Sequence, residues 1–371
     1  MSRFVDLLSK PAREMGSYSP HFSVTPAPTE AQLIKLDSNE NPFGPSLRAV
    51  KAVRTAMSSM HVYPDDNCIE LRSALASRHR VRPEQVLVTA GSTGMLSLLC
   101  QTLLGPGLNA ITSAVSFIVY GMAVHTVGAQ LIETPLRDDR FDLDAIFRAI
   151  NRDTRLVFLA NPNNPTGTML DAVAIDRFLA QVPAHVVVVL DEAYYDFAAH
   201  FAAVRKIEYS RSLDYVRQDA NVVVLRTFSK AHGLAGLRVG YGLGPSELLG
   251  YCAHMANTYS VSSVAQAAAL AALDDQSHVE HAVANNATQA QVLLEGLSEL
   301  GYCVIPTTAN FVYYDLGKDA CGFATQLREQ DISVRPLSAW GAPNCIRVTI
   351  GTPEQNKIFL KAACELTTRT R

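Results

Sequence analysis

Lys230 lies in the stretch Thr227-Phe-Ser229-Lys230-Ala-His-Gly233-Leu-Ala-Gly236-Leu-Arg238-Val-Gly240, directly after the apolar, β-branched run 222–225. Such a run reads as a buried strand, which puts Thr227, Ser229 and Lys230 just beyond its carboxyl end. Open parallel sheets bind their ligands at that edge. A lysine amine is a nucleophile and a proton carrier once it is neutral. Glycines at 233, 236, 240 and 242 bracket Arg238, and residues without a Cβ let backbone approach closely. Asp191 closes the most hydrophobic run of the chain, 186–190, in Leu190-Asp191-Glu-Ala-Tyr194. An ionised carboxylate there is costly unless it meets a cation or strong donors. Asp191 therefore calls for a partner, either an arginine or the protonated ring nitrogen of a ligand.

The elements that must position these residues follow from the hydrophobic pattern. Runs at 86–89, 109–112, 130–133, 156–160, 186–190 and 222–225 read as strands with helical stretches between several of them, which implies right-handed crossovers and a mostly parallel sheet. Ser92, Ser116, Asn164, Asp191 and Ser229 each follow the end of one of these strands, so one site is expected to gather them. Gly91-Ser92-Thr93-Gly94 sits between the strand 86–89 and a helix expected over 95–104, and a helix start offers free N–H groups to an anion. Past Val261 an alanine-rich helix over 265–273 and short strands at 311–314 and 346–349 read as a smaller α/β domain. The expected division is an N-terminal arm (1–38), a large domain (39–260) and a small domain (261–371) packed with the arm.

Composition narrows the function. Net charge is −3, from 32 Lys and Arg against 35 Asp and Glu, and no basic block is present, which argues against a nucleic-acid surface. The seven cysteines form no CxxC pair and read as free, mostly buried thiols of a reducing cytoplasm. No signal peptide or membrane span is read from the apolar runs, and no metal site is expected.

Asn161-Pro-Asn-Asn164-Pro-Thr-Gly167, Asp191-Glu-Ala-Tyr194, Ser229-Lys230 with Arg238, and Ile346-Arg347-Val-Thr-Ile-Gly-Thr352 together resemble the fold-type I aminotransferases that use pyridoxal phosphate. The arm Asp37-Ser-Asn39-Glu-Asn-Pro-Phe-Gly-Pro45, Tyr63-Pro-Asp65 and Val334-Arg335-Pro336 are similar to the histidinol-phosphate aminotransferase branch. The resemblance implies an α/β fold: a large domain on a mostly parallel seven-stranded sheet, and a smaller α/β domain. It implies that Lys230 bonds covalently to pyridoxal phosphate and later shuttles a proton, with Asp191 at the pyridine nitrogen and Asn164 and Tyr194 at the phenolic oxygen. Phe117 would stack on the ring. Gly91, Ser92, Thr93, Thr227, Ser229 and Arg238 would hold the phosphate, with Tyr63 reaching across from the second subunit of a homodimer with shared sites. Arg347 would clamp a substrate carboxylate, with Arg335, Tyr18 and Asn39 completing the substrate side. The expected partners are a small-molecule amino donor and a 2-oxo acid, the preferred pair being histidinol phosphate and 2-oxoglutarate.

Thr93-Gly94 stands where histidinol-phosphate enzymes commonly carry an acidic residue, so an aromatic amino-acid aminotransferase of the same branch is the alternative. A decarboxylase or lyase on the same cofactor, and a non-catalytic ligand-binding module, rank below it. Retention of Lys230 and the lack of a preceding helix-turn-helix disfavour the module.

Overall fold

The computed structural model describes residues 8–14 and 33–368, so Tyr18 lies outside the described residues. Seven strands form one sheet in the order Val86–Thr89, Gly240–Leu243, Val222–Thr227, Val187–Asp191, Thr154–Ala160, Asn109–Ser113, Gln130–Thr134. Six run in one direction, and Gly240–Leu243 is antiparallel to both of its neighbours. Val222, Val223, Val224 and Leu225 are all buried. Successive side chains face opposite sides of a sheet, so both faces are covered, and an unbroken apolar run is what such a strand requires.

Gly240–Leu243 escapes a sequence reading because its two glycines weaken the strand pattern. Both have a packing reason. A Cβ on Gly240 would sit 2.5 Å from the Ser92 backbone nitrogen, and one on Gly242 would sit 2.9 Å from the Met95 sulfur. The helix Gly91–Leu103 therefore lies close against this strand. Gly236, by contrast, has open space around it. That helix also begins four residues before the expected position. Gly91 adopts φ +73, a left-handed conformation that turns the chain straight from strand into helix. Ser92 and Thr93 thus lie in the first turn, where backbone N–H groups lack partners within the helix.

A second, antiparallel sheet follows the order Cys303–Ile305, Phe311–Asp315, Ala342–Thr349, Arg335–Leu337. Near the start of the chain, Ile34–Lys35 pairs in parallel with Ile332–Ser333, and Leu36 enters the core of this second unit. The first core extends through Leu273, because Ala265, Ala268, Ala269 and Ala272 on the helix Ser263–Leu273 pack into it. The change of composition at Val261 placed that helix with the smaller domain; its small side chains instead let it seat closely against the first core. The helix Gln276–Glu299 then links the two, with Val279 and Val283 beside Tyr194 and Phe311, and Leu293 and Leu297 in the second core. Among the described residues no helix is long and apolar enough to cross a membrane.

Candidate active site

The carboxyl ends of the parallel strands meet the second unit around a cavity of about 250 Å³. Ser92, Asn164, Asp191 and Ser229 all line it, as the strand-end pattern implied, together with Thr93, Thr227, Lys230, Arg238, Phe117 and Tyr194. Ser116 does not; its hydroxyl donates to Asn163 Oδ1 at 2.9 Å and braces the neighbouring loop instead.

One end of the cavity is an anion cradle. Arg238 donates to Thr93 Oγ1 and to Ser229 Oγ, each at 3.3 Å, and Thr227 Oγ1 donates to Ser229 Oγ at 3.0 Å. These groups converge on the start of the helix Gly91–Leu103, where unpaired N–H groups and the helix dipole favour negative charge. Glycine suits position 91, since φ +73 strains any other residue and a Cβ would also press on the Arg238 guanidinium at 2.5 Å.

Asp191 occupies the middle. Its carboxylate accepts the Tyr120 hydroxyl at 3.0 Å and the Ala193 N–H at 3.2 Å, and among the described residues it makes no ion pair. Burial pushes its pKa up to about 6 despite the Tyr120 and Ala193 bonds. The neighbouring carboxylate is paired: Arg226 bonds to Glu192 at 2.8 Å and lies over the Tyr195 ring. Glu192 also accepts from Ser210 and Ser212, so this buried pair is satisfied on both sides. Asp191 is left as a desolvated carboxylate that a cation within the cavity would stabilise.

Lys230 is partly buried, with its ammonium donating to the Ser38 carbonyl at 3.1 Å and lying 5.7 Å from the Tyr194 ring centre. Burial first, then the Arg347 and Arg238 charges, push its pKa down to about 7 against the opposing pull of Glu40 and Asp191. A substantial fraction of the amine is therefore neutral and nucleophilic near neutral pH. The Tyr194 hydroxyl accepts from Asn39 Nδ2 at 3.0 Å and from Asn164 Nδ2 at 3.3 Å, and burial raises its pKa. Phe117 meets Tyr120 edge to face, and Tyr120 in turn stacks on Phe158 at 4.8 Å.

At the other end, Arg335 and Arg347 are direct register partners on adjacent antiparallel strands, and both are buried. Arg347 donates to Asn164 Oδ1 at 2.6 Å and to the Asp37 carbonyl at 2.7 Å, and Arg335 Nε donates to the same carbonyl at 3.2 Å. The Asp37 carboxyl is held below its usual range: burial works against this, but bonds from Ser333 and Ser38 and the Arg335 charge outweigh it.

Tyr63 stands apart from this cavity. It is 77% exposed and stacks on Tyr259 at 4.5 Å. Six contributors escape the sequence reading. Asp37 and Ser38 act through backbone carbonyls, Tyr120 lies inside an apolar helical stretch, Trp340 and Arg226 carry no motif, and Glu192 sits in the motif Asp191-Glu-Ala-Tyr194 with no role of its own read from it. A faint signal exists for Tyr120, which follows Phe117 by one helical turn.

These residues fit pyridoxal phosphate. The cradle suits its phosphate, the uncompensated Asp191 carboxylate suits a protonated ring nitrogen, and the Lys230 amine suits its aldehyde.

Residues 31–362 match the family described as aminotransferase class I and II. The chain is 43% identical over 332 residues to histidinol-phosphate aminotransferase 2 of Pseudomonas fluorescens, covering 90% of this chain and 88% of that one. It is 41% identical over 367 residues to the protein of the same name from Pseudomonas aeruginosa, covering 98% of each. Among solved structures, histidinol-phosphate aminotransferase from Sinorhizobium meliloti in complex with pyridoxal-5'-phosphate aligns with a TM-score of 0.84, 29% identity and 91% of each chain covered. A mutant form of Thermus thermophilus aspartate aminotransferase aligns with a TM-score of 0.82 and 25% identity, covering 96% of this chain and 99% of that one.

Proposed function

The chain belongs to the aminotransferase class I and II family and is a pyridoxal-phosphate-dependent transaminase, and from that premise we propose that it moves an amino group from histidinol phosphate to 2-oxoglutarate. The observation that carries this reading is the buried cross-strand pair Arg335 and Arg347, both lining the cavity that holds Lys230. Like charges directly opposite each other in a sheet are destabilising, so a pair kept out of water is suited to anions. Histidinol phosphate carries a phosphate and no α-carboxylate, whereas 2-oxoglutarate carries two carboxylates. One site must take both in turn. Arg347 is assigned the α-carboxylate, which would displace the neutral Asn164 and Asp37 acceptors with a charge-assisted fork, and Arg335 is assigned the distal anion.

Pyridoxal phosphate, when bound, supplies an aldehyde that takes up amines and a ring that stabilises negative charge at the substrate carbon. Lys230 is assigned to anchor it and to carry the proton, because burial lowers its pKa to about 7 and leaves part of the amine neutral near neutral pH. Asp191 would keep the ring nitrogen protonated, while Asn164 and Tyr194 would bond to the phenolic oxygen and Asn39 would orient the Tyr194 hydroxyl. Phe117 would stack on the ring, and Ser92, Thr93, Thr227, Ser229 and Arg238 would hold the phosphate.

Arg335→Leu is expected to lose about 2 to 4 kcal/mol in kcat/KM for histidinol phosphate, the scale for removing one partner of a buried charged contact. Phenylalanine, which has no distal anion, should lose far less. Steady-state kinetics with both donors checks this, and equal losses or none would turn the reading toward an aromatic amino acid.

The protein is further read as a cytoplasmic homodimer with shared sites. Met60, Val62, Tyr63 and Ile69 are 70%, 58%, 77% and 61% exposed, an apolar surface that a second copy would cover while bringing Tyr63 to its cradle. All seven thiols are free, and four are buried, which suits a reducing compartment. Mixing Tyr63→Phe and Lys230→Ala proteins should give heterodimers in which one site carries both defects and the other neither. Recovery of tight cofactor binding with activity is the expected readout; a fully active monomer at micromolar concentration would refute it.

A further inference from the structure

The short turn Ser338–Trp340 joins the strand that carries Arg335 to the strand that carries Arg347. Trp340 lines the same cavity as the two arginines, and its ring packs beside Tyr313, Leu337, Ala342 and Cys345, with Val115 from the larger unit nearby. The hairpin thus fixes the indole relative to both guanidinium groups. Its N–H is buried and, among the described residues, has no hydrogen-bond acceptor. An indole nitrogen is a donor only, so the missing partner must be an acceptor, and a buried donor left unmet is destabilising.

We propose that the Trp340 indole N–H donates to the distal phosphate of the amine substrate and is a specificity determinant for phosphorylated amines. This rests on the histidinol-phosphate reading above. A phosphate monoester presents three acceptor oxygens, whereas a guanidinium fork engages two in parallel. The third oxygen needs another donor, and Trp340 supplies one from the same hairpin. A distal carboxylate has two oxygens and is satisfied by the fork alone. Trp340 therefore separates the two halves of the reaction: it serves the phosphorylated donor and is dispensable for 2-oxoglutarate.

The test is Trp340→Phe, which keeps an aromatic ring and removes the N–H. The expected result is a loss of about tenfold or more in kcat/KM for histidinol phosphate, the scale of one hydrogen bond to a charged group, with L-histidinol and 2-oxoglutarate each changed less than about twofold. The chain contains a single tryptophan, so one indole 15N–1H resonance reports on this group without relying on turnover. In the wild-type holoenzyme that resonance should move downfield with histidinol phosphate and hold its position with L-histidinol. Equal losses for all three substrates would make Trp340 a packing residue, and a resonance indifferent to histidinol phosphate would remove the contact; either overturns the proposal. Failure of the wild-type enzyme to convert histidinol phosphate would overturn the substrate reading itself, and this one with it. That outcome is visible before any variant is made.

Discussion

Lys230→Ala is expected to lower transamination roughly 10,000-fold or more, the upper range for removing an acid–base group that also acts as the nucleophile, while leaving a folded protein that still binds pyridoxal phosphate. In the proposed function the chemistry would depend on one amine, whereas cofactor affinity would be spread over the helix start at Gly91 and the side chains of Thr93, Ser229 and Arg238. Alanine should not threaten folding. The Lys230 pKa falls from 10.5 to about 7 on folding, so the folded state holds that proton less tightly than the unfolded chain. The resulting penalty is full below about pH 7 and fades as pH rises toward 10.5. Alanine removes it. Single-turnover absorbance of the cofactor together with thermal unfolding checks both halves; substantial turnover in the variant would mean that another group carries the proton.

The second large effect is at Asp191. Asp191→Asn should reduce kcat by about a hundredfold or more, the scale for losing a preorganised electrostatic partner, because an amide no longer favours a protonated ring nitrogen. Stability should move the other way. Folding raises the Asp191 pKa from 3.8 to about 6, so the native state binds the proton more tightly between those values. Stability therefore falls as pH rises through that window, and the penalty is complete above about pH 6. At about 1.4 kcal/mol per pKa unit, asparagine should stabilise the cofactor-free protein by roughly 2 to 3 kcal/mol at pH 7 and by little at pH 4. Lower activity with higher apo stability is the signature of a charge held in place for a ligand. A variant that is both less stable and fully active would show that Asp191 supports the fold alone.

What the sequence makes legible is the strand-end chemistry. Asp191 and Lys230 follow strands of β-branched residues, and Asn164 follows the strand Thr154–Ala160, so their placement depends on local pattern and on the single rule that parallel sheets open at one edge. The remainder depends on contacts far apart in the chain. The Asp37 carbonyl reaches Arg347 across 310 residues, and Asn39 reaches Tyr194 across 155. No local pattern encodes such pairings. Asp37 and Ser38 act on the site through backbone carbonyls, which every residue has, so no side-chain type marks them. Tyr120 reads as core because it is core: its ring stacks on Phe158 while its hydroxyl alone reaches Asp191. Glu192, one residue on, pairs with Arg226, while alternation along the chain sends Asp191 to different surroundings, where it makes no ion pair among the described residues. Composition alone does not choose a core for the helix Ser263–Leu273, since alanine suits tight packing against either; its alanines pack into the first.

The most direct test of the account is a half-reaction screen of the holoenzyme, in which histidinol phosphate, phenylalanine, tyrosine and aspartate are each mixed with it and the cofactor's visible absorption is followed. The account predicts that histidinol phosphate converts the cofactor with the highest rate per unit concentration, and that 2-oxoglutarate afterwards restores the original spectrum. Faster conversion by phenylalanine or tyrosine, or a spectrum that 2-oxoglutarate cannot restore, would contradict it.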